Sequence, residues 1–257
     1  MSEVLERRFA AIGARVKVER VRSEPRIDVA VDRRGEFFAL RLPRDRESAS
    51  IIDVDRDDRS LLLLVRDGGV KSKFLCGFDE RHWFVAAIPE RVRGVGTVET
   101  AKDALQPYAV RAAVARVRPR DRFRRRNVAY VRQGEWFFLP RWSVEHEVDW
   151  GEVLRDEPLT RGSGKAHKLQ YAFPRGGETV YVNDAHPTGI SEARFESLSQ
   201  SQRLKGGWRE SMRDPELYAM GVVTHPDHQL IVLHCWHLVL MNTEHLARAM
   251  RHVAFID

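Results

Sequence analysis

From Val16 onward the apolar residues come in short runs, most of them alternating with polar neighbours and broken by glycine, proline or aspartate. Val16 and Val18, then Ile27, Val29 and Val31, follow a period of two. Arg34-Gly35 turns the chain into Phe37-Phe38-Ala39-Leu40-Arg41-Leu42, and Ile51 to Val54, Leu61 to Val65, Lys73 to Cys76 and Trp83 to Ile88 complete the series. A period of two sends successive side chains to opposite faces, so such runs predict strands rather than helices. Their short connections predict a meander-like antiparallel sheet.

Helices are fewer. Leu5, Phe9 and Ile12 share one face of a short N-terminal helix that Gly13 stops, and Thr97 can cap a second over Val98 to Leu105, which Pro107 ends. Strands resume at Val128 to Val131, Trp136 to Leu139, Leu169 to Phe173 and Thr179 to Val182, the last two joined by Pro-Arg-Gly-Gly, a hairpin signal. Helices are also expected over Ser191 to Ser199 and from Thr243, as N-cap, to Arg251. Strands and helices that do not alternate as βαβ units predict an α+β fold, predominantly antiparallel sheet with a few short helices.

The expected organisation is a β-rich unit over 1–110, a basic extended linker or edge strand over 111–126, and a second α+β unit over 127–257. A single fused domain is the alternative. Arg34 to Arg44 and Gln133 to Arg141 are alike, each a glycine turn, an acid, an aromatic strand and a proline, which is compatible with a duplicated unit.

The chain has 257 residues, enough for one large or two smaller self-sufficient cores. Its two cysteines, Cys76 and Cys235, sit in apolar runs far apart, which argues against a disulfide framework and for a reducing, cytoplasmic setting. Charged first residues and apolar runs too short to span a bilayer predict neither export nor membrane insertion. A net charge of +6 favours polyanionic partners.

That charge is most ordered between Arg116 and Arg126, where Arg116, Arg118, Arg120, Arg122, Arg124 and Arg126 occupy every even position. An extended chain would present them on one face about 6.6 Å apart, near the spacing of nucleic-acid phosphates, which guanidinium groups grip in pairs of hydrogen bonds. Lys165 and Lys168 could add phosphate contacts. The expected function is therefore binding of nucleic acid or another polyanion through non-specific phosphate contacts. The competing structural reading is a solvated edge strand whose charges prevent aggregation.

The stretch from Thr224 to Leu240 holds four of the chain's ten histidines. Pro226 and Asp227 suit a tight turn that sets His225 opposite His228, close enough to share a divalent ion. His234 lies too far along the strand, and His237 faces the other way unless a bulge near Cys235 intervenes. Asp184, His186, His167 and Asp227 are candidate further ligands, with His186 and Asp184 preferred. Such a set would suit zinc or manganese, and the second functional reading is a metal-dependent hydrolase or phosphodiesterase. A structural or assembly protein with a protein partner is the third.

Other motifs fail on their chemistry. Asp53 to Asp58 alternates acids, but Asp58 stands where a calcium loop needs glycine and Leu64 where it needs glutamate. Arg161 to Lys168 ends like a phosphate loop, but Ala166 replaces the required hydroxyl residue. Cys76 with His82 and Cys235 with His234 or His237 have no pattern that activates a nucleophile. The acidic patch of Glu145, His146, Glu147 and Asp149, which could supply an acid or base, is better read as a solvent-facing turn.

Overall fold

A computed structural model describes residues 2–44, 49–161 and 165–252. The fold is α+β, with mostly antiparallel strands, as the apolar periodicity predicts. Helix α1 (Ser2–Ala10) buries Leu5 and Phe9, joined by Ile12, against the first sheet, and Gly13 ends it at φ 81°. That sheet contains β1 (Val16–Val21), β2 (Arg26–Asp32) and β3 (Gly35–Pro43) in the order β1-β3-β2. It is not a simple meander, because β1 runs parallel to β3. The short Arg33-Arg34 turn makes β2 and β3 antiparallel neighbours, and β1 takes the open edge of β3.

Strands β4 (Ala49–Asp55), β5 (Ser60–Asp67), β6 (Val70–Asp79) and β7 (His82–Ile88) form the expected meander. The unbroken run Leu61 to Val65 is covered on both faces: Leu61 and Leu63 pack with Phe38 and Leu40, Leu62 with Val98, Ala101 and Leu105. Burial on both faces explains why this strand does not alternate. The second group of partners belongs to α2 (Val98–Leu105), whose Thr97 side chain accepts from Thr100 N as expected of a cap, while Asp53 Oδ2 accepts from Val98 N.

The segment 111–126 is not extended, which corrects the arginine ladder. Helix α3 (Tyr108–Val114) takes its first part, and a 3₁₀ turn over Pro119–Asp121 its middle. Val110, Val114 and Val117 bury one face against Tyr130 and Trp236, and helical spacing of these apolar residues outweighs the period-two spacing of the arginines. Arg116, Arg118, Arg120, Arg124 and Arg126 stay exposed, whereas Arg122 is half-buried and its Nε donates to Val117 O. The common face of regularly spaced guanidinium groups is therefore absent.

The second large sheet has six strands: β8 (Val131–Gln133), β9 (Trp136–Pro140), β10 (Leu154–Leu159), β11 (His167–Arg175), and the last two strands of the chain. An excursion separates β11 from those two. It comprises β12 (Glu178–Asn183), β13 (His186–Ser191), α4 (Glu192–Glu196), α5 (Gln200–Lys205) and β14 (Arg209–Arg213), with its own three-stranded sheet in the order β13-β12-β14. Pro-Arg-Gly-Gly thus joins strands of different sheets rather than a hairpin, since β11 and β12 each find longer partners elsewhere. The helix expected over Ser191 to Ser199 is the shorter α4, capped by Ser191. Strands β15 (Glu216–His225) and β16 (His228–Met241) complete the order β10-β11-β15-β16-β9-β8.

The C-terminal α-helix expected from Thr243 is instead two 3₁₀ turns, Thr243–Leu246 and Arg248–His252. Asn242 is the cap, while Thr243 Oγ1 donates to Ala104 O. Glu244 is drawn inward to accept from Ala87 N at 3.1 Å and Arg161 Nη1 at 2.9 Å, which ties this segment to the N-terminal sheets. Among the described residues no helix is long and apolar enough to cross a membrane.

Candidate metal centre

Three adjacent strands bring three histidines to one end of the six-stranded sheet. The Pro226-Asp227 turn closes β15 onto β16 and pairs His225 with His228, the register expected from the sequence. On the other side β11 pairs Lys168 with Thr224, so His167, the first residue of β11, lies beside His225. The rings of His167 and His225 stack at 4.2 Å, those of His225 and His228 lie 4.7 Å apart, and those of His167 and His228 5.7 Å. One nitrogen from each ring falls in a group whose members all lie within 4.8 Å of one another. Zinc–nitrogen bonds of about 2.0 Å in tetrahedral geometry need donors roughly 3.4 Å apart. The nitrogens therefore lie at most roughly 1.4 Å farther apart than that spacing.

Two register shifts interrupt the hairpin that carries His225 and His228, one between Ala219 and Gly221, opposite His234 to Trp236, and one between Val223 and His225. A bulge bends the strand that carries it, and the first half of β16 reaches the β8–β9 turn, where Gln133 Nε2 donates to Gln229 O at 2.7 Å. Gly134 in that turn has φ 56° and stands against the histidines. A Cβ there would lie 2.9 Å from His228 Nε2 and 3.5 Å from His167 Nε2. Glycine both permits the turn and keeps the space in front of these two nitrogens free.

His167 is only 2% exposed, and at most one of its ring nitrogens finds a hydrogen-bond partner among the described residues, the backbone of Gln133. Burial, then the neighbouring rings of His225 and His228, push its pKa down to about 3 despite the nearby Gln133 backbone, so it is neutral at ordinary pH. Burial, and next His225, also lower the pKa of His228, against Asp79 and Glu135, which favour its cation. His225 is better satisfied: its Nε2 contacts Lys165 O at 3.2 Å and its Nδ1 accepts from Asp227 N at 3.2 Å. Coordination through Nδ1 would keep the first contact and give up only the second. A neutral imidazole is the form that binds a metal, so no proton has to be displaced from His167.

The preferred partners in the sequence reading do not join. Asp184 and His186 are exposed at the β12–β13 turn, where the His186 ring stacks on Trp208 at 5.4 Å. The excursion that separates β11 from β15 carries them away, while the same sheet pairing brings in His167. Its signal in the sequence was weak, a histidine at the start of an apolar strand. Asp227 pairs with Lys165 at 3.0 Å; burial would raise its pKa, but the hydrogen bond and charge of Lys165 outweigh this and lower it. Lys168 pairs with Asp156 at 3.4 Å. Both lysines proposed for phosphate thus already have carboxylate partners, and Gly162 to Gly164 of the phosphate-loop-like stretch lie outside the described residues.

His234 is exposed, and His237 is buried with its Nδ1 2.7 Å from Cys235 O. The bulge does not unite them. Both thiols are buried, and burial raises the pKa of each, which leaves them unreactive.

Beside His228 a cavity of about 720 Å³ opens between the six-stranded sheet and the two N-terminal sheets. His228, Gly134 and Glu135 form one wall, and Glu36, Asp79 and Trp83 another. No protein-family model, curated protein or solved structure matches this chain.

Proposed function

We propose that His167, His225 and His228 hold a divalent metal ion at the edge of the cavity and that the chain is a metal-dependent hydrolase of a small substrate. The observation that carries this reading is His167, a buried imidazole with at least one ring nitrogen unpartnered among the described residues and within 4.8 Å of a nitrogen on each of two more histidines. Buried polar atoms are generally bonded, and it is the grouping with two more histidines that sets His167 apart from other unpartnered buried atoms, such as the indole nitrogens of Trp136 and Trp236. Three imidazoles favour zinc over manganese, whose preferred donors are oxygens. Three protein ligands also leave a coordination position open, as catalytic rather than structural zinc sites do. Bound there, the ion would supply Lewis acidity toward a substrate oxygen or water. The chain's own part is to keep the rings neutral, hold them at one sheet end and present the open side to the cavity.

The test is metal analysis of protein purified without chelator and reloaded with zinc. One zinc per chain in the wild type, lost in His167→Ala, supports the site. A wild-type protein that retains none after zinc loading and dialysis overturns it. Chelator-sensitive hydrolysis of a chromogenic ester or phosphodiester, restored by zinc, tests the activity.

A second reading rests on the exposed Arg116, Arg118, Arg120, Arg124 and Arg126, which offer phosphate contacts without regular spacing. Oligonucleotide binding whose affinity and salt slope are unchanged when these become glutamine would end it.

A further inference from the structure

Behind His228 stands a carboxylate from the N-terminal half of the chain. Glu80 sits in the tight turn between β6 and β7, and its side chain is only 4% exposed. Its Oε1 lies 2.5 Å from Arg125 Nη2 and 3.8 Å from His228 Nδ1. Its Oε2 accepts from Gln229 N, the residue after His228, at 2.6 Å. The carboxylate therefore grips the backbone beside a candidate ligand and faces the back of that ligand's ring.

His228 is arranged to use it. Its Nε2 points to the space that Gly134 leaves free, on the side of His167 Nε2, while its buried Nδ1 makes no hydrogen bond among the described residues. A neutral imidazole that gives one nitrogen to a metal must carry its proton on the other. At Nδ1 that proton would face Glu80 Oε1, and a modest closure would make the ion-pair distance a hydrogen bond. Glu80 also holds φ 54°, a left-handed backbone conformation that is costly for a long side chain. Strain of this kind persists where the surrounding contacts determine it, often at functional sites.

We propose that Glu80 is the positioning residue of the metal centre: it fixes the ring orientation and tautomer of His228 and thereby makes metal affinity depend on the packing of the β6–β7 turn against β16. This rests on the three-histidine reading above. Carboxylates behind a ligating histidine raise its basicity and orient it, and their loss typically weakens metal binding by about 10- to 100-fold.

The experiment measures zinc affinity by competition with a chromophoric chelator, and the absorption spectrum of the cobalt-loaded form, for wild type, Glu80→Gln, Glu80→Asp and Arg125→Gln. Expected are an affinity about 10- to 100-fold lower in Glu80→Gln with an altered cobalt spectrum, partial recovery in Glu80→Asp, and near wild-type binding in Arg125→Gln, which removes the ion pair but keeps the carboxylate. Equal affinity and spectrum in Glu80→Gln and wild type overturn the proposal. Equal losses in Glu80→Gln and Arg125→Gln also overturn it, because the turn's stability would then suffice as the cause. A wild type that binds no zinc instead refutes the three-histidine site itself.

Discussion

Strand β16 carries histidines in two settings that differ in what satisfies their nitrogens. At its start, His228 stands with His225 and His167, and the buried His167 leaves at least one ring nitrogen without a hydrogen-bond partner among the described residues. Past the bulge, His237 is also buried but its Nδ1 meets Cys235 O at 2.7 Å, and His234 turns to solvent. An imidazole satisfied by the chain's own backbone or by water is complete. One that is buried and unsatisfied costs about 1–3 kcal/mol until something binds it, and that distinction, rather than the number of histidines nearby, separates a site from a core.

Substitution at each setting gives the largest contrast. His167→Ala should abolish stoichiometric zinc, whereas His237→Ala should leave zinc content unchanged and lower stability by about 2 kcal/mol through the lost buried contact. Metal analysis and denaturant unfolding of the two variants check this, and equal zinc loss in both would erase the contrast.

In the metal-free protein, acid should act on both settings alike. Burial lowers the pKa values of His167, His228 and His237, that of His167 to about 3. The unfolded chain, with histidines near 6.5, takes up protons that the folded chain refuses, so stability falls as the pH drops below about 6.5 and continues to fall through the lower folded values. His167 alone should account for roughly 3 kcal/mol by about pH 4. Unfolding curves across this range, flat between pH 7 and 4, would contradict the buried neutral rings.

Zinc should separate the settings again. At a free concentration 100 times the dissociation constant it should stabilise the wild type by about 2.7 kcal/mol, and His167→Ala not at all, as measured by melting with and without the ion.

A smaller effect isolates the glycine that faces the site. Gly134→Ala and Gly207→Ala both strain a positive φ, but only the first places a Cβ against His228 and His167. Both should lose about 1–2 kcal/mol, and only Gly134→Ala should also weaken zinc binding. Equal zinc affinity in the two variants would show that the space before the nitrogens is not used. The smallest effect is expected at the surface: glutamine at Arg118, Arg120 and Arg124 should change stability by less than about 0.5 kcal/mol per site and leave zinc binding intact.

Local pattern carried much of this molecule. Alternation in Ile27 to Val31 and the Pro226-Asp227 turn specify strands and a two-residue connection, and a tight turn sets its own register, so the facing of His225 and His228 was legible. Thr97 as a cap and Gly13 as a stop were legible for the same reason, since each acts within a few residues. Alternation failed between Arg116 and Arg126, where exposed arginines cost little in any conformation while Val110, Val114 and Val117 must be buried.

The sequence by itself determined the α+β class, most of the strands (not β10, β13 or β14) and the histidine pair at the tip, because these depend on periodicity and turn chemistry within one stretch of chain. Only the tertiary structure decided that His167 rather than His186 completes the group, that Gly134 faces it and that Glu80 stands behind His228. Those contacts join residues far apart in sequence through strand order and a bulge, and no local preference encodes which strand will lie beside which.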